Sequence, residues 1–220
     1  MADKNNKLFK ITKPFLMMVE GKDDREMLYR LCDHIGLSRE QVQIFEYRGK
    51  EKFPAALKFI TNSEKFETVE KLGVFRDADD GSESAFQSIE YHLKASDLIP
   101  DSAIPSSQGT VSHSDDEQAS MSIGVFIMPN CSDHGALESL LLGSLSNEMH
   151  SEIAGFIANS EALLGSDRTR DKFKNSDKSK VYAYSALFEN ANFHDMFNKR
   201  LWDFDHATFD KLKAFLREFG

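Results

Sequence analysis

Residues 15–24 of the chain are FLMMVEGKDD, an apolar run followed by a short segment that contains three acidic side chains. Short apolar runs bounded by turn residues are typical of buried strands. The next segment, from about Asp23 to His34, carries its apolar side chains at helical spacing, and Gly36 is a natural stop. This stretch therefore predicts a strand followed directly by a helix, with Glu20 at the carboxyl end of the strand.

The same alternation continues along the chain. Further strands are predicted at 42–47, 72–76 and 121–128, with helices at 53–60, from Ser82 or Ser84 to Lys94, and from a cap at Ser132 or Asp133 through Leu142. Strands that alternate with helices predict an α/β fold, here a parallel sheet of about four strands with right-handed crossovers. Residues 99–120 are rich in turn residues and predict a long surface loop that could include an edge hairpin.

After about Ser144 the pattern is only helical. The last helix, capped by Asp205, would carry an apolar stripe from Phe209 to Phe219. We therefore expect an α/β domain over residues 8–145, with the loop insertion at 99–120. A helical C-terminal extension over 146–220 would pack on it.

Bulk composition is that of a globular protein in the cytoplasm. No apolar run approaches the roughly 18 residues of a transmembrane helix, the N-terminus lacks the apolar segment of a signal peptide, and Cys32 and Cys131 make no disulfide framework. A cytoplasmic location without a membrane partner is expected. The formal net charge of −9 argues against a protein that simply coats DNA. It argues less against a metal enzyme, because bound Mg²⁺ supplies positive charge where phosphate must lie.

Acidic side chains follow three of the predicted strands. Glu20 follows the first, Asp77 and Asp79 follow the strand at 72–76, and Glu138 lies beyond the strand at 121–128. Carboxyl ends of parallel strands share one edge of the sheet, where ligands bind. Crowded carboxylates repel one another unless a cation compensates. The pattern therefore predicts a divalent metal site, and a small set of carboxylate oxygens is what Mg²⁺ prefers.

Asp24 belongs with this set on helical geometry. It lies three and four residues before Met27 and Leu28, so it shares their inward face. Each acidic residue also has a simpler interpretation: Asp23 suits the helix dipole, Asp-x-Asp is common in loops, and Glu138 would serve equally well as a helix-flank residue.

The one clearly basic stretch is residues 168–180, RTRDKFKNSDKSK. In an acidic protein it is a candidate phosphate-facing segment, within which Lys178 or Lys180 could offset charge on a phosphate. The simpler interpretation is a solvated segment of mixed charge.

Together these motifs resemble the Toprim domain of topoisomerases, primases and the overcoming-lysogenisation-defect nucleases. Met18-Val19-Glu20-Gly21 matches its first motif and Asp77-Ala78-Asp79 its second. The acid four residues past Glu20 is similar to the nuclease branch, which implies that Asp24 helps to hold a second metal ion and that Glu138 is a further acid of that branch. The whole chain also resembles a prokaryotic family of stand-alone Toprim-like proteins of undefined function.

The resemblance implies a phosphodiester hydrolase that acts on nucleic acid and depends on one or two Mg²⁺ or Mn²⁺ ions. Glu20, Asp24, Asp77 and Asp79 would hold the metal, with Glu138 as a further ligand or water orienter. Nuclease relatives often carry an ATPase domain, but no phosphate-loop motif is present here. A homodimer or a separate ATPase partner is therefore open.

Two other functions remain as alternatives. One is a phosphatase or phosphotransferase with Asp77 as nucleophile and Asp79 as general acid, which requires a lysine beside the nucleophile. The other is a non-catalytic interaction or regulatory module that keeps only the shell of the site.

Overall fold

A computed structural model describes residues 9–79, 81–114, 121–131, 134–164, 176–188, 193–198 and 201–218. Its strands are β1 (Phe15–Val19), β2 (Val42–Glu46), β3 (Lys71–Asp77), β4 (Thr110–His113) and β5 (Ser122–Met128). They form one sheet in the order β2-β1-β3-β5-β4, parallel except for β4, which pairs antiparallel with β5. The α/β fold with a mainly parallel sheet is confirmed, and β4 shows that the predicted loop does contribute an edge strand.

The helices of the described residues are α1 (Lys22–Ile35), α2 (Phe53–Thr61), α3 (Ser82–Lys94), α4 (Leu137–Leu142), α5 (Asn147–Leu164), α6 (Ser176–Ser185), α7 (Phe193–Asn198) and α8 (Asp210–Arg217). Every regular element described after α4 is helical, as predicted. Within the same residues, no helix is both long enough and apolar enough to cross a membrane.

Helix starts were the least accurate part of the prediction. Gly81, not a serine, caps α3, and the Ser84 hydroxyl donates to the Gly81 carbonyl at 2.9 Å. α4 begins only at Leu137, well after Ser132 and Asp133, which lie outside the described residues. A short 3₁₀ turn precedes α8, and there a ring nitrogen of His206, rather than Asp205, accepts the first free N–H, that of Thr208.

Helices cover both faces of the sheet. Successive strand residues point to opposite faces, so Met17 and Phe75 pack with α1, α4 and α8, whereas Met18 and Val74 pack with α2 and α3. On the first face, Phe215 of α8 contacts Phe75 edge-to-face, with ring centroids 5.6 Å apart. The C-terminal helix is therefore part of the main hydrophobic core.

The loop between β5 and α4 is tied to the end of β3. Asp79 and Gly135 exchange two backbone hydrogen bonds of 3.0 and 2.9 Å. Gly135 has φ +119°, and a Cβ there would lie 2.9 Å from Ser139 Oγ and 3.0 Å from Pro129 Cδ. Only glycine fits this close approach, which brings the first turn of α4 over the carboxyl end of β3.

Candidate metal centre

Four carboxylates lie at the carboxyl edge of the sheet, each from a different element. Glu20 follows β1, Asp24 lies in the first turn of α1, Asp77 ends β3 and Glu138 lies in the first turn of α4. Asp24 and Glu138 are only 8% and 7% exposed, and Glu20 and Asp77 are half-buried. Acidic side chains are almost never buried to this extent without a partner, so the arrangement points to a site rather than to a solvated surface.

Backbone amides orient three of these carboxylates. The Gly21 N–H donates to Asp24 Oδ2 at 2.8 Å, and the Leu137 N–H donates to Asp77 Oδ1 at 3.1 Å. The Lys50 N–H donates to Glu20 Oε1 at 3.1 Å, whereas Glu20 Oε2 is buried and has no partner among the described residues. A buried, unpartnered carboxylate oxygen is costly and is available to a cation.

The electrostatics of the cluster favour protonation. Burial raises the pKa of Asp24 to about 7, and the charges of Glu138 and Glu20 add to the effect. Burial also raises the pKa of Asp77 well above its usual range, with further contributions from Asp24, Glu138 and Glu20. The pKa of Glu20 is raised, again mainly by burial, although the Lys50 N–H opposes the rise. In the absence of a metal ion, burial and the neighbouring charges therefore favour the protonated forms of Asp24 and Asp77.

Asp79 lies at the edge of this group. Its backbone is left-handed, with φ +50°, and its side chain is 48% exposed. Asp79 Oδ2 accepts a hydrogen bond from Lys50 Nζ at 2.6 Å. Asp77 and Asp79 therefore differ in surroundings: the first is held under α4, and the second is neutralised at the surface by a lysine.

Helix α6 supplies a second lysine. Lys178 Nζ lies 3.4 Å from Glu138 Oε1, and its side chain is 49% exposed. Burial raises the pKa of nearby Asp23, an effect that the charge of Lys178 opposes. Asp23 thus lies closer to the cluster than its assignment to helix-dipole chemistry implies.

Lys180, by contrast, has a local partner. Its Nζ donates to Asp177 Oδ1 at 3.0 Å, and the other Asp177 oxygen accepts from Ser139 Oγ at 2.8 Å. The hydrogen bond from Ser139 to Asp177 therefore links α4 to α6, and Lys180 neutralises the Asp177 carboxylate.

The donor set suits a hard divalent cation, since all of its atoms are carboxylate oxygens. Within the described residues, however, no three acidic, histidine or cysteine side chains are grouped closely enough to hold a metal ion as they stand. Metal binding would therefore require movements that draw the carboxylates together. The unpartnered Glu20 Oε2 supports such a site.

Comparison with protein families covers nearly the whole chain. Residues 14–220 match the family described as Protein of unknown function (DUF3226). The chain belongs to this family. No curated protein matches it.

Two solved structures are similar to this DUF3226 chain. Hypothetical protein PH0156 from Pyrococcus horikoshii OT3 is 17% identical, with a TM-score of 0.51 over 94% of this chain and 95% of that chain. At that identity the likeness shows the fold alone. The C-terminal region of the OLD protein from Xanthomonas campestris pv. campestris is 11% identical, with a TM-score of 0.38 over 94% of this chain and 86% of that chain, a likeness too distant to carry an argument.

The sequence predicted the carboxylates of this site but did not reveal two cationic side chains beside them. The structure brings Glu20, Asp24, Asp77 and Glu138 to one edge and places Asp79 on its flank. The first part of the predicted basic segment, residues 168–175, lies outside the described residues. The missed residues are Lys50, which follows β2 at the same edge, and Arg76, which immediately precedes Asp77. The available signal was Arg-Gly-Lys after the second strand, a position where a loop meets the ligand-binding edge.

Proposed function

We propose that this protein is a Toprim-like, Mg²⁺- or Mn²⁺-dependent phosphodiester hydrolase that acts on nucleic acid. The observation that carries the proposal is the convergence of four buried or half-buried carboxylates on one sheet edge, with an unpartnered oxygen on Glu20. Clustered titratable groups with strongly perturbed pKa values are typical of functional sites. Membership of the DUF3226 family and the fold are compatible with this function but do not specify it.

Each residue has a defined part in the proposal. Glu20, Asp24 and Asp77 would hold the metal, Asp79 would join them, and Glu138 would hold a second ion or orient water. The metal, when bound, lowers the pKa of its coordinated water and stabilises a leaving oxygen.

The two lysines of α6, Lys178 and Lys180, have different roles in the proposal. Lys178, half-exposed beside Glu138, would offset charge on a phosphate. Lys180 would act through Asp177 and Ser139, by fixing the position of α6.

The experiment compares Glu20→Gln and Asp77→Asn with Glu64→Gln, a control at an exposed acid beyond α2. Mn²⁺ binding is measured by calorimetry, and hydrolysis is followed with bis(p-nitrophenyl) phosphate, plasmid DNA and single-stranded RNA. Both site variants should fold, lose tight Mn²⁺ binding and lose cleavage, while the control keeps both. Undiminished cleavage by either site variant would refute the assignment.

A specific observation favours a second candidate, the non-catalytic module. Lys50 on Asp79 and Lys178 on Glu138 partly neutralise the site without any metal. The same calorimetry separates the two functions, because a folded wild-type protein that binds no Mn²⁺ would support the module. The phosphatase alternative gains no such support, since these two lysines contact Asp79 and Glu138 rather than Asp77, and a trapped aspartyl-phosphate on Asp77 would be needed to establish it.

A further inference from the structure

Lys50 is built into the candidate site by its backbone. It follows Arg48 and Gly49 in the loop after β2, and this loop wraps the end of β1. The N–H groups of Arg48 and Gly49 donate to the Glu20 carbonyl at 2.9 and 3.2 Å. The Lys50 N–H donates to the Glu20 carboxylate at 3.1 Å. Any ion or substrate held by Glu20 therefore lies close to the loop that carries Lys50.

The Lys50 side chain is bound to the site but remains accessible. Its ammonium contacts Asp79 Oδ2 at 2.6 Å, and the two side chains are 45% and 48% exposed. Exposed ion pairs are weak, so a divalent ion could replace the ammonium at Asp79 at little cost. Once displaced, Lys50 would still be tethered beside Glu20 and would carry an unneutralised charge.

Arg76 supplies a second cation next to Lys50. Its Nη1 donates to Ser88 Oγ at 3.2 Å, but its Nε is buried and has no partner among the described residues. The positive charge of Arg76 opposes the rise that burial causes in the pKa of Glu20 and the rise that Asp79 causes in the pKa of Lys50, so Arg76 lies near both groups. Two neighbouring cations, one with an unused donor, are suited to an anion with several acceptor oxygens.

We propose that Lys50 and Arg76 form the phosphate-binding half of the site, and that Lys50 pairs with Asp79 only until a divalent ion takes that carboxylate. This assignment rests on the proposed function, because it requires a metal ion and a phosphodiester at the same edge. It adds that Lys50 and Arg76 contact the substrate phosphate from the α2 and α3 side of the carboxylates, in addition to any contact from Lys178 of α6.

Lys50→Met tests the assignment, with Lys52→Met as the matched control. Lys52 lies on the same 3₁₀ turn, Lys50–Lys52, and is exposed. Lys50→Arg keeps the charge and serves as the conservative variant. Thermal unfolding first establishes that all three fold.

Two binding measurements follow. The first is Mn²⁺ affinity by calorimetry without nucleic acid. The second is the affinity for a fluorescein-labelled single-stranded oligodeoxynucleotide, measured by anisotropy in Ca²⁺ over a range of salt concentrations. Lys50→Met should bind Mn²⁺ at least as tightly as the wild type, because Asp79 loses its competing ammonium. It should bind the oligonucleotide about tenfold more weakly, with a salt slope lower by about 0.7. Lys52→Met should match the wild type, and Lys50→Arg should retain oligonucleotide binding.

The results separate this assignment from the proposed function. A wild-type protein that binds Mn²⁺ and cleaves, together with a Lys50→Met variant that binds oligonucleotide like Lys52→Met, overturns the assignment alone. Loss of Mn²⁺ binding in Lys50→Met also overturns it, since the lysine would then support the metal ligands rather than compete with the ion. A wild-type protein that binds no Mn²⁺ overturns both.

Discussion

Replacing Asp24 with asparagine should stabilise the metal-free protein at alkaline pH. Asp24 is 8% exposed, and burial, followed by the charges of Glu138 and Glu20, raises its pKa from the usual 3.8 to about 7. A carboxyl group whose pKa is higher in the folded than in the unfolded state favours folding only while it is protonated. Its contribution is therefore fully present below about pH 4 and is lost as the pH rises through 7.

The size of the effect follows from the same pKa values. A rise in the pKa of Asp24 from 3.8 to about 7 corresponds to a destabilisation of the folded protein by about 4 kcal/mol at pH 8, relative to acidic pH. Asparagine cannot ionise, and its amide oxygen can still accept the Gly21 N–H. The neighbouring carboxylates share the protons of the cluster, so we expect a net gain of about 2 kcal/mol, or roughly 4–8 °C in Tm for a chain of this length.

The assay is thermal unfolding in EDTA at pH 4 and pH 8, with Asp97→Asn, at an exposed position after α3, as the control. Asp24→Asn should raise Tm at pH 8 and leave it nearly unchanged at pH 4, while the control shows no such pH dependence. Added Mn²⁺ should then stabilise the wild type more than the variant. Equal Tm values for Asp24→Asn and the wild type at pH 8 would refute the claim that this carboxylate is destabilising in the folded protein.

Three further predictions concern the proposed metal site and the core. Mn²⁺ binding at pH 7 should release protons, so the apparent binding enthalpy in calorimetry should depend on the ionisation enthalpy of the buffer. A binding enthalpy that is independent of the buffer would contradict the claim that the carboxyl groups are partly protonated. Gly135→Ala should lower the free energy of unfolding in urea by about 1–3 kcal/mol, because of the positive φ at Gly135. Gly155→Ala, in α5 with nothing within 4 Å of the added methyl, should raise it by about 0.5–1 kcal/mol. Similar effects at both positions would show that the positive φ at Gly135 is unimportant. Phe215→Ala should lower the free energy of unfolding by about 3–5 kcal/mol in the same measurement. Phe156 is 63% exposed, so Phe156→Ala should lower it by less than about 0.5 kcal/mol. A small loss at Phe215 would show that α8 is not part of the core.

The fold was predictable where burial determines which positions of a strand or helix are apolar. The apolar runs at β1, β3 and β5 are buried on both faces of a parallel sheet, and such strands are short continuous apolar segments. The burial of Asp24 followed from its spacing to Met27 and Leu28, since residues three and four apart share a helix face. These are local rules, so one sequence is enough to apply them.

The parts that escaped prediction depend on loop conformation. Asp79 and Arg48 both adopt positive φ, at 50° and 65°, a conformation that non-glycine residues seldom adopt and that leaves no periodic trace. It turns the Asp79 side chain toward Lys50 instead of aligning it with Asp77, as an extended Asp-x-Asp would. The start of α4 was misplaced for a similar reason, because its first N–H groups are accepted by Asp77 and Ser139, which are not the residues just before the helix, and the close approach at Gly135 brings the turn to Asp77.

The distribution of charge within the site explains how the carboxylates can coexist in a metal-free protein. The two flanking acids have lysines: Lys50 contacts Asp79, and Lys178 contacts Glu138. The central pair, Asp24 and Asp77, has backbone N–H groups and raised pKa values instead. In the metal-free protein, protons can therefore neutralise the centre and lysines the edges. If the proposed divalent ion binds, it would displace the protons and compete with the lysines, and a partly neutral site would become one with lysine charges available beside it. A phosphate, which needs positive charge beyond that of the metal, is the ligand that such a change would favour.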